Sequence, residues 1–159
     1  MSKHTASIAW QRRVGEDFLA SRYSRAHTWT FDGGVTVSAS SSPSVVQLPY
    51  SDATCVDPEE AYVASIASCH MLWYLGLAAK RGFVVEQYAD AATGVLTKDA
   101  TGKEWISAVT LAPEVRYGEG PSPSVAEEEA LHHAAHEACF IANSVRTVIT
   151  VCPVSTRAA

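Results

Sequence analysis

The sequence predicts an α+β fold in which β-sheet, and a second subunit, cover one long helix. Three observations carry this. The stretch Ala61–Ala79, AYVASIASCHMLWYLGLAA, holds no formal charge and is apolar on every side. A helix of that kind has to be covered all round, which one small domain cannot readily do alone. The segments before and after it alternate apolar and polar residues and are rich in β-formers, the signature of half-buried strands. A shorter helical pattern then follows PSPS, giving the order βββ-α-ββ-α-β.

Each element has a local reason. Ala6–Gln11 is a short strand candidate. Val14–Arg25 is mixed and reads as loop or a short helical turn. HTWTF (27–31) and VTVSA (35–39) alternate on either side of FDGG, whose Asp-Gly pair marks a tight turn, so they form a hairpin. SSSPS and LPYSD are loop punctuation. DPEE then starts the long helix. Asp57 suits the N-cap, Pro58 the first helical position, and Glu60 completes a capping box. Two cations, Lys80 and Arg81, precede Gly82, a natural stop. The helix should therefore run some 24 residues and about 36 Å. Two strands, Val84–Leu96 and Trp105–Tyr117, flank the polar turn KDATGK. A second helix is expected over Val125–Cys139 with three glutamates near its start, and a last strand over Val145–Val151.

At 159 residues the chain has the size of one domain, spanning 1–159, and can bury a core without staples. With 47% hydrophobic and 18% charged residues it is not a disordered chain. A net charge of −5 excludes the electrostatic footprint of a nucleic-acid binder. The opening MSKHTASIAW has no apolar signal region, which points to the cytoplasm. The uncharged stretch has the length of a membrane span. However, Ser65, Ser68, Cys69, His70 and several alanines interrupt it, so a buried core helix is expected and no membrane partner. In a reducing cytoplasm the four cysteines, Cys55, Cys69, Cys139 and Cys152, are buried thiols, ligands or redox groups rather than staples, and no CxxC is present.

Two of those cysteines sit beside histidines. Cys69 directly precedes His70, but adjacent helical side chains project about 100° apart, so His70 is a poor direct base for Cys69 within one chain. In HHAAHEAC (132–139), His132 and His136 are four apart, and His133, His136 and Cys139 recur every three residues. One such helix face could ligate zinc, although the sequence fixes no acidic partner. Packed helices could also bring Cys69 and Cys139 within disulfide range, which spacing alone does not decide.

DPEEAYVASIASCHM, followed seventy residues after its cysteine by AHEACFIANSVR, resembles the OsmC/Ohr family, the osmotically inducible and organic hydroperoxide resistance proteins. The resemblance runs from Ala6 to Val151. It implies an OsmC-like α+β fold, antiparallel sheets wrapped around long central helices in an intertwined homodimer. It also implies a thiol-dependent peroxidase for organic, including fatty-acyl, hydroperoxides. Cys69 would be the attacking thiol, Cys139 the resolving one, and Glu59 the holder of an arginine that activates Cys69. Arg22 and Arg25 match the arginine's region, with Arg25 preferred because it abuts the predicted strand. No metal and no resident cofactor are implied; electrons come from a thiol or a dithiol such as a lipoyl group. Glu59 and Cys69 lie ten residues apart, roughly 15 Å along one helix. Antiparallel central helices from two subunits would instead set Glu59 of one chain near Cys69 of the other. His70 stands where peroxidase members carry Phe, and Phe140-Ile141 where hydroperoxide-resistance members carry Pro-Tyr, so a divergent branch is expected. Cys55 and Cys152 are taken as structural. The alternative is a non-enzymatic protein on the same fold, holding zinc or an apolar ligand through Cys69, His70, His136 and Cys139.

Overall fold

The computed structural model of the chain describes residues 1–154. The chain, read from its sequence as one domain over 1–159, packs as two compact units, Met1–Ala61 and Tyr62–Ala159.

In the first unit, strands β1 (Ala6–Ala9), β2 (His27–Phe31) and β3 (Thr36–Ala39) form an antiparallel sheet in that order. Trp29 stands opposite Ile8 on one side and Val37 on the other. The FDGG turn closes as its sequence requires: Gly34 takes φ +83° and its N–H bonds the Phe31 carbonyl. The mixed stretch between β1 and β2 is a turn-rich loop closed by an Asp17–Arg22 bridge. Its hub is Glu16, whose carboxylate accepts the N–H groups of Arg13 and Ser24, both at 2.8 Å. Those two bonds hold the Glu16 carboxyl below its ordinary range.

Helix α1 (Pro58–Lys80) begins with the predicted capping box. Glu60 N–H donates to Asp57 Oδ1 at 2.7 Å, and Asp57 N–H donates back to Glu60 Oε2 at 3.1 Å. It ends in a Schellman motif: Phe83 N–H bonds the Ala78 carbonyl, Gly82 N–H bonds that of Ala79, and Gly82 sits at φ +81°.

Beyond α1 the second unit corrects the sequence reading. Each of the two predicted long strands is two strands. β4 (Val85–Asp90) pairs with β7 (Pro113–Tyr117), and β5 (Thr93–Lys98) pairs with β6 (Glu104–Leu111), all antiparallel. The breaks fall at Ala91–Ala92 and at Ala112, where the chain passes from one sheet to the other. Asp90 fixes that corner by accepting the Ala112 N–H at 2.8 Å. The last strand, β8 (Val148–Val151), starts later than predicted and lies parallel to β6, the one exception to an otherwise antiparallel set. Helix α2 (Val125–Ala138) has its own capping box, Ser124 with Glu127, and ends one residue before Cys139. A 3₁₀ turn over Ala142–Ser144 follows.

One stripe of α1 is buried: Ile66, His70, Tyr74 and Ala78, four residues apart. Tyr74 and Ala78 pack with Leu131 and Ala135 of α2 and Val115 of β7. Ile66 packs with Val109 and Leu111 of β6. By length and composition α1 could cross a membrane, but this stripe makes it a core helix. The opposite stripe, Ala64, Ser68, Leu72 and Gly76, is exposed and uncharged, with Leu72 63% exposed. β5 approaches α1 so closely at Gly94 that a Cβ there would lie 2.5 Å from a methyl of Val63. This accounts for a glycine inside a strand.

Candidate active site

Cys69, on α1, is half-buried, and Cys139, at the C-cap of α2, is 1% exposed. Their thiols lie within hydrogen-bonding reach of each other. The sequence reason is the end of α2. Cys139 leaves helical geometry at φ −68°, ψ 113°. The chain then turns back so that Ala142 N–H points at Cys139 Sγ, 3.3 Å away. Asn143 fastens this turn: its Nδ2 donates to the Glu137 carbonyl at 2.8 Å and its N–H to the Cys139 carbonyl at 3.0 Å.

The two sulfurs are not equivalent. Burial pushes the Cys139 thiol up to about 11, and the neighbouring Cys69 sulfur raises it further. The N–H groups of Ala142 and Ile141 pull the other way without reversing the shift. Cys139 therefore keeps its proton at neutral pH, while Cys69 is the more accessible sulfur.

His70 does not serve Cys69. It belongs to the buried stripe and turns to α2, where its Nε2 lies 3.1 Å from His132 Nδ1. The rings stack 5.4 Å apart at 6°, and His132 stacks on Tyr74 on its other side at 4.3 Å. His70 is 1% and His132 3% exposed, and the outer nitrogens, His70 Nδ1 and His132 Nε2, have no hydrogen-bond partner. Burial pulls both imidazoles down to about 4, each further disfavoured by a neighbouring histidine, so the pair is neutral at pH 7. The pairing divides the HHAAHEAC motif. His132 faces the core, whereas His133 and His136 line a separate cavity of about 350 Å³ with Glu129 and β8. The zinc set Cys69, His70, His136 and Cys139 is thus not assembled. Among the described residues no three His, Cys, Asp or Glu side chains gather to hold a metal.

In the first unit, Arg25 and Glu59 both line an aromatic-walled cavity of about 500 Å³. They form no ion pair among the described residues. The Arg25 guanidinium instead lies 3.7 Å over the Tyr23 ring, and its Nη1 donates to the carbonyls of Tyr23 (2.6 Å) and Ser21 (2.9 Å). Arg22 is taken up by an exposed ion pair with Asp17 at 2.7 Å and does not line the cavity, which separates the two candidate arginines. Sequence reasoning missed the wall itself. Trp10, Phe18 and Tyr23 pack ring to ring at 4.6 to 5.9 Å, from a stretch read only as loop. Three aromatics in an otherwise polar loop were the available signal. Cys55, hydrogen-bonded to Asp52, and the exposed Cys152 lie outside the cysteine pair.

Comparison with known proteins agrees with this arrangement. The family model for OsmC-like proteins matches residues 51–153. An OsmC-like protein of unknown function from Vibrio cholerae O1 biovar eltor has a solved structure 47% identical to this chain. It superposes with a TM-score of 0.94, over 97% of this chain and 100% of that one. An organic hydroperoxide resistance protein from Elizabethkingia anophelis superposes at 0.69 with 15% identity, over 96% and 94% of the two chains. The organic hydroperoxide resistance protein OhrB of Bacillus subtilis superposes at 0.59 with 22% identity, over 94% and 96%. The last two share the fold and little sequence, as a divergent branch should. No curated protein matches the chain. With its fold, its helix-borne cysteines and two-thirds of its length matching one family model, the chain belongs to the OsmC-like family.

Proposed function

We propose that this protein is a thiol-dependent peroxidase that reduces organic hydroperoxides, fatty-acyl hydroperoxides included, to alcohols. The observation that carries the reading is the unequal cysteine pair: two thiols in contact, one held protonated and buried, the other more accessible. Cys69, as thiolate, attacks the terminal peroxide oxygen. The O–O bond breaks, the alcohol leaves after taking up a proton, and Cys69 becomes a sulfenic acid. Cys139 then attacks that sulfur, water departs, and a Cys69–Cys139 disulfide forms before further oxidation can occur. A dithiol, such as a lipoyl group, restores both thiols.

The aromatic cavity supplies an apolar surface for the organic part of the peroxide, with Arg25 to meet the polar end and Glu59 on the same wall. Glu59 and Cys69 lie ten residues apart on one straight helix, roughly 15 Å. We therefore place the working site in a homodimer whose α1 helices run antiparallel, Glu59 of one chain approaching Cys69 of the other. The exposed Ala64–Ser68–Leu72–Gly76 stripe suits close packing against a second α1. Sedimentation equilibrium at micromolar concentration should give twice the chain mass; a monomer would remove the shared site. The protein would act in the cytoplasm, where dithiol reductants are available.

The direct test is turnover. With cumene hydroperoxide and dihydrolipoamide, the purified protein should consume peroxide catalytically. The second reading, an apolar-ligand binder using the same cavity without chemistry, predicts ligand binding and no consumption.

A further inference from the structure

Resting on that reading, the structure also fixes the direction in which the oxidised site is reduced. We infer that the reductant's thiolate attacks Cys69 Sγ and that Cys139 is the sulfur expelled. A disulfide offers two sulfurs, and an incoming thiolate must approach one of them along the S–S axis, so access helps to decide which is attacked. Cys139 is 1% exposed, buried at the end of α2 behind the turn that Asn143 fastens. Cys69 is half-buried on α1, and its neighbours on that helix, Ser65, Ser68, Leu72 and Gly76, are exposed. An approach along that stripe reaches Cys69 and not Cys139.

The departing sulfur has its reception already built. Ala142 N–H points at Cys139 Sγ from 3.3 Å and can bond the thiolate as negative charge develops on it. That charge is short-lived, because the buried Cys139 holds its proton strongly. The step balances as follows. One reductant sulfur, as thiolate, bonds Cys69 Sγ while the Cys69–Cys139 bond breaks and its electron pair goes to Cys139. Cys139 takes a proton released by the second thiol of the dithiol. That second sulfur, now a thiolate, attacks the first, closes the cyclic disulfide of the reductant and releases Cys69. Two electrons and two protons pass to the protein. Since Cys139 is reprotonated on release, it does not re-form the protein disulfide, and the mixed disulfide on Cys69 runs forward.

The test uses the whole wild-type protein and does not depend on peroxide turnover. The Cys69–Cys139 disulfide is formed with diamide, the oxidant is removed, and dihydrolipoamide is added. The reaction is quenched with acid within milliseconds to seconds, and the mixed disulfide is located by peptide mass spectrometry. The inference predicts the lipoamide adduct on the Cys69 peptide in at least tenfold excess over the Cys139 peptide at every early time. Adduct chiefly on Cys139, or equally on both, would overturn it. Failure of the peroxidase reading would show separately, as absence of peroxide consumption by a protein whose diamide-formed disulfide is still reduced at Cys69.

Discussion

Cys69→Ser should abolish hydroperoxide turnover, by a factor of about 10³ or more, while leaving fold and unfolding midpoint essentially unchanged. The thiolate is the only group in the proposed scheme that bonds the peroxide oxygen, and a serine hydroxyl stays protonated and poorly nucleophilic at neutral pH. Structurally the exchange is mild, because Cys69 is only half-buried and one polar atom of similar reach replaces another. Cys139→Ser should behave differently. The first turnover, peroxide to alcohol, still occurs, but the Cys69 sulfenic acid then lacks its partner. It should oxidise further under excess peroxide, so activity decays within a few turnovers. Circular dichroism and denaturant titration of both variants separate a chemical loss from an unfolded protein. A Cys69→Ser variant that retains wild-type turnover would exclude the assignment.

Acid should destabilise the protein through its buried histidine pair. The unfolded chain binds protons at both imidazoles with a pKa near 6.5, whereas the folded values lie near 4. Above pH 6.5 both states leave these groups neutral and the full stability is present. As pH falls from 6.5 to 4, only the unfolded chain takes up the protons, so stability is lost across that window. The shift corresponds to roughly 3 kcal/mol per histidine. For the pair this is comparable to the whole stability of an ordinary domain. The surrounding tyrosines do not compensate. Tyr74, which stacks on His132, is raised to about 12, and Tyr88 and Tyr117 beside it are also raised, so all stay neutral throughout. His136, which also bears on His70, adds positive charge in the same window and acts in the same direction. Urea midpoints measured from pH 7.5 to 4.5 should therefore fall steeply below pH 6.5. A His70→Leu, His132→Phe double variant should show a much shallower slope, whatever its stability at pH 7.5. Parallel slopes for the two proteins would show that the pair does not govern acid sensitivity.

The parts of the structure that were legible in the sequence are those set by local chemistry. DPEE and Lys80-Arg81-Gly82 place both ends of α1, because caps are made by residues within a turn of the helix end. FDGG likewise closes the β2–β3 hairpin locally. The breaks after Asp90 and at Ala112 could not be read. Alternation continues across them, and what ends each strand is a change of sheet partner held by a bond between residues 22 apart. The parallel course of β8 depends in the same way on a distant neighbour, β6.

The site divides along similar lines. Cys69 and Cys139 stood out because their flanking motifs resemble a known family, and the fold brings their sulfurs together. The true partner of His70 was hidden, although all the residues were in view. Sequence adjacency suggested Cys69, while the four-residue periodicity of Ile66, Tyr74 and Ala78 puts His70 on the opposite, buried stripe facing His132. Glu59 was expected to hold Arg25. Both line one cavity, but the guanidinium rests on Tyr23, reached through an irregular loop with no periodicity to read.

The central claim is that Cys69 and Cys139 form one redox unit. Its most direct test treats the reduced protein with one equivalent of an organic hydroperoxide, quenches after seconds and maps the peptides by mass spectrometry without reductant. The account predicts a Cys69–Cys139 linked peptide as the dominant product, with Cys55 and Cys152 unmodified. Unmodified Cys69, or slow oxidation spread over all four cysteines, would contradict it.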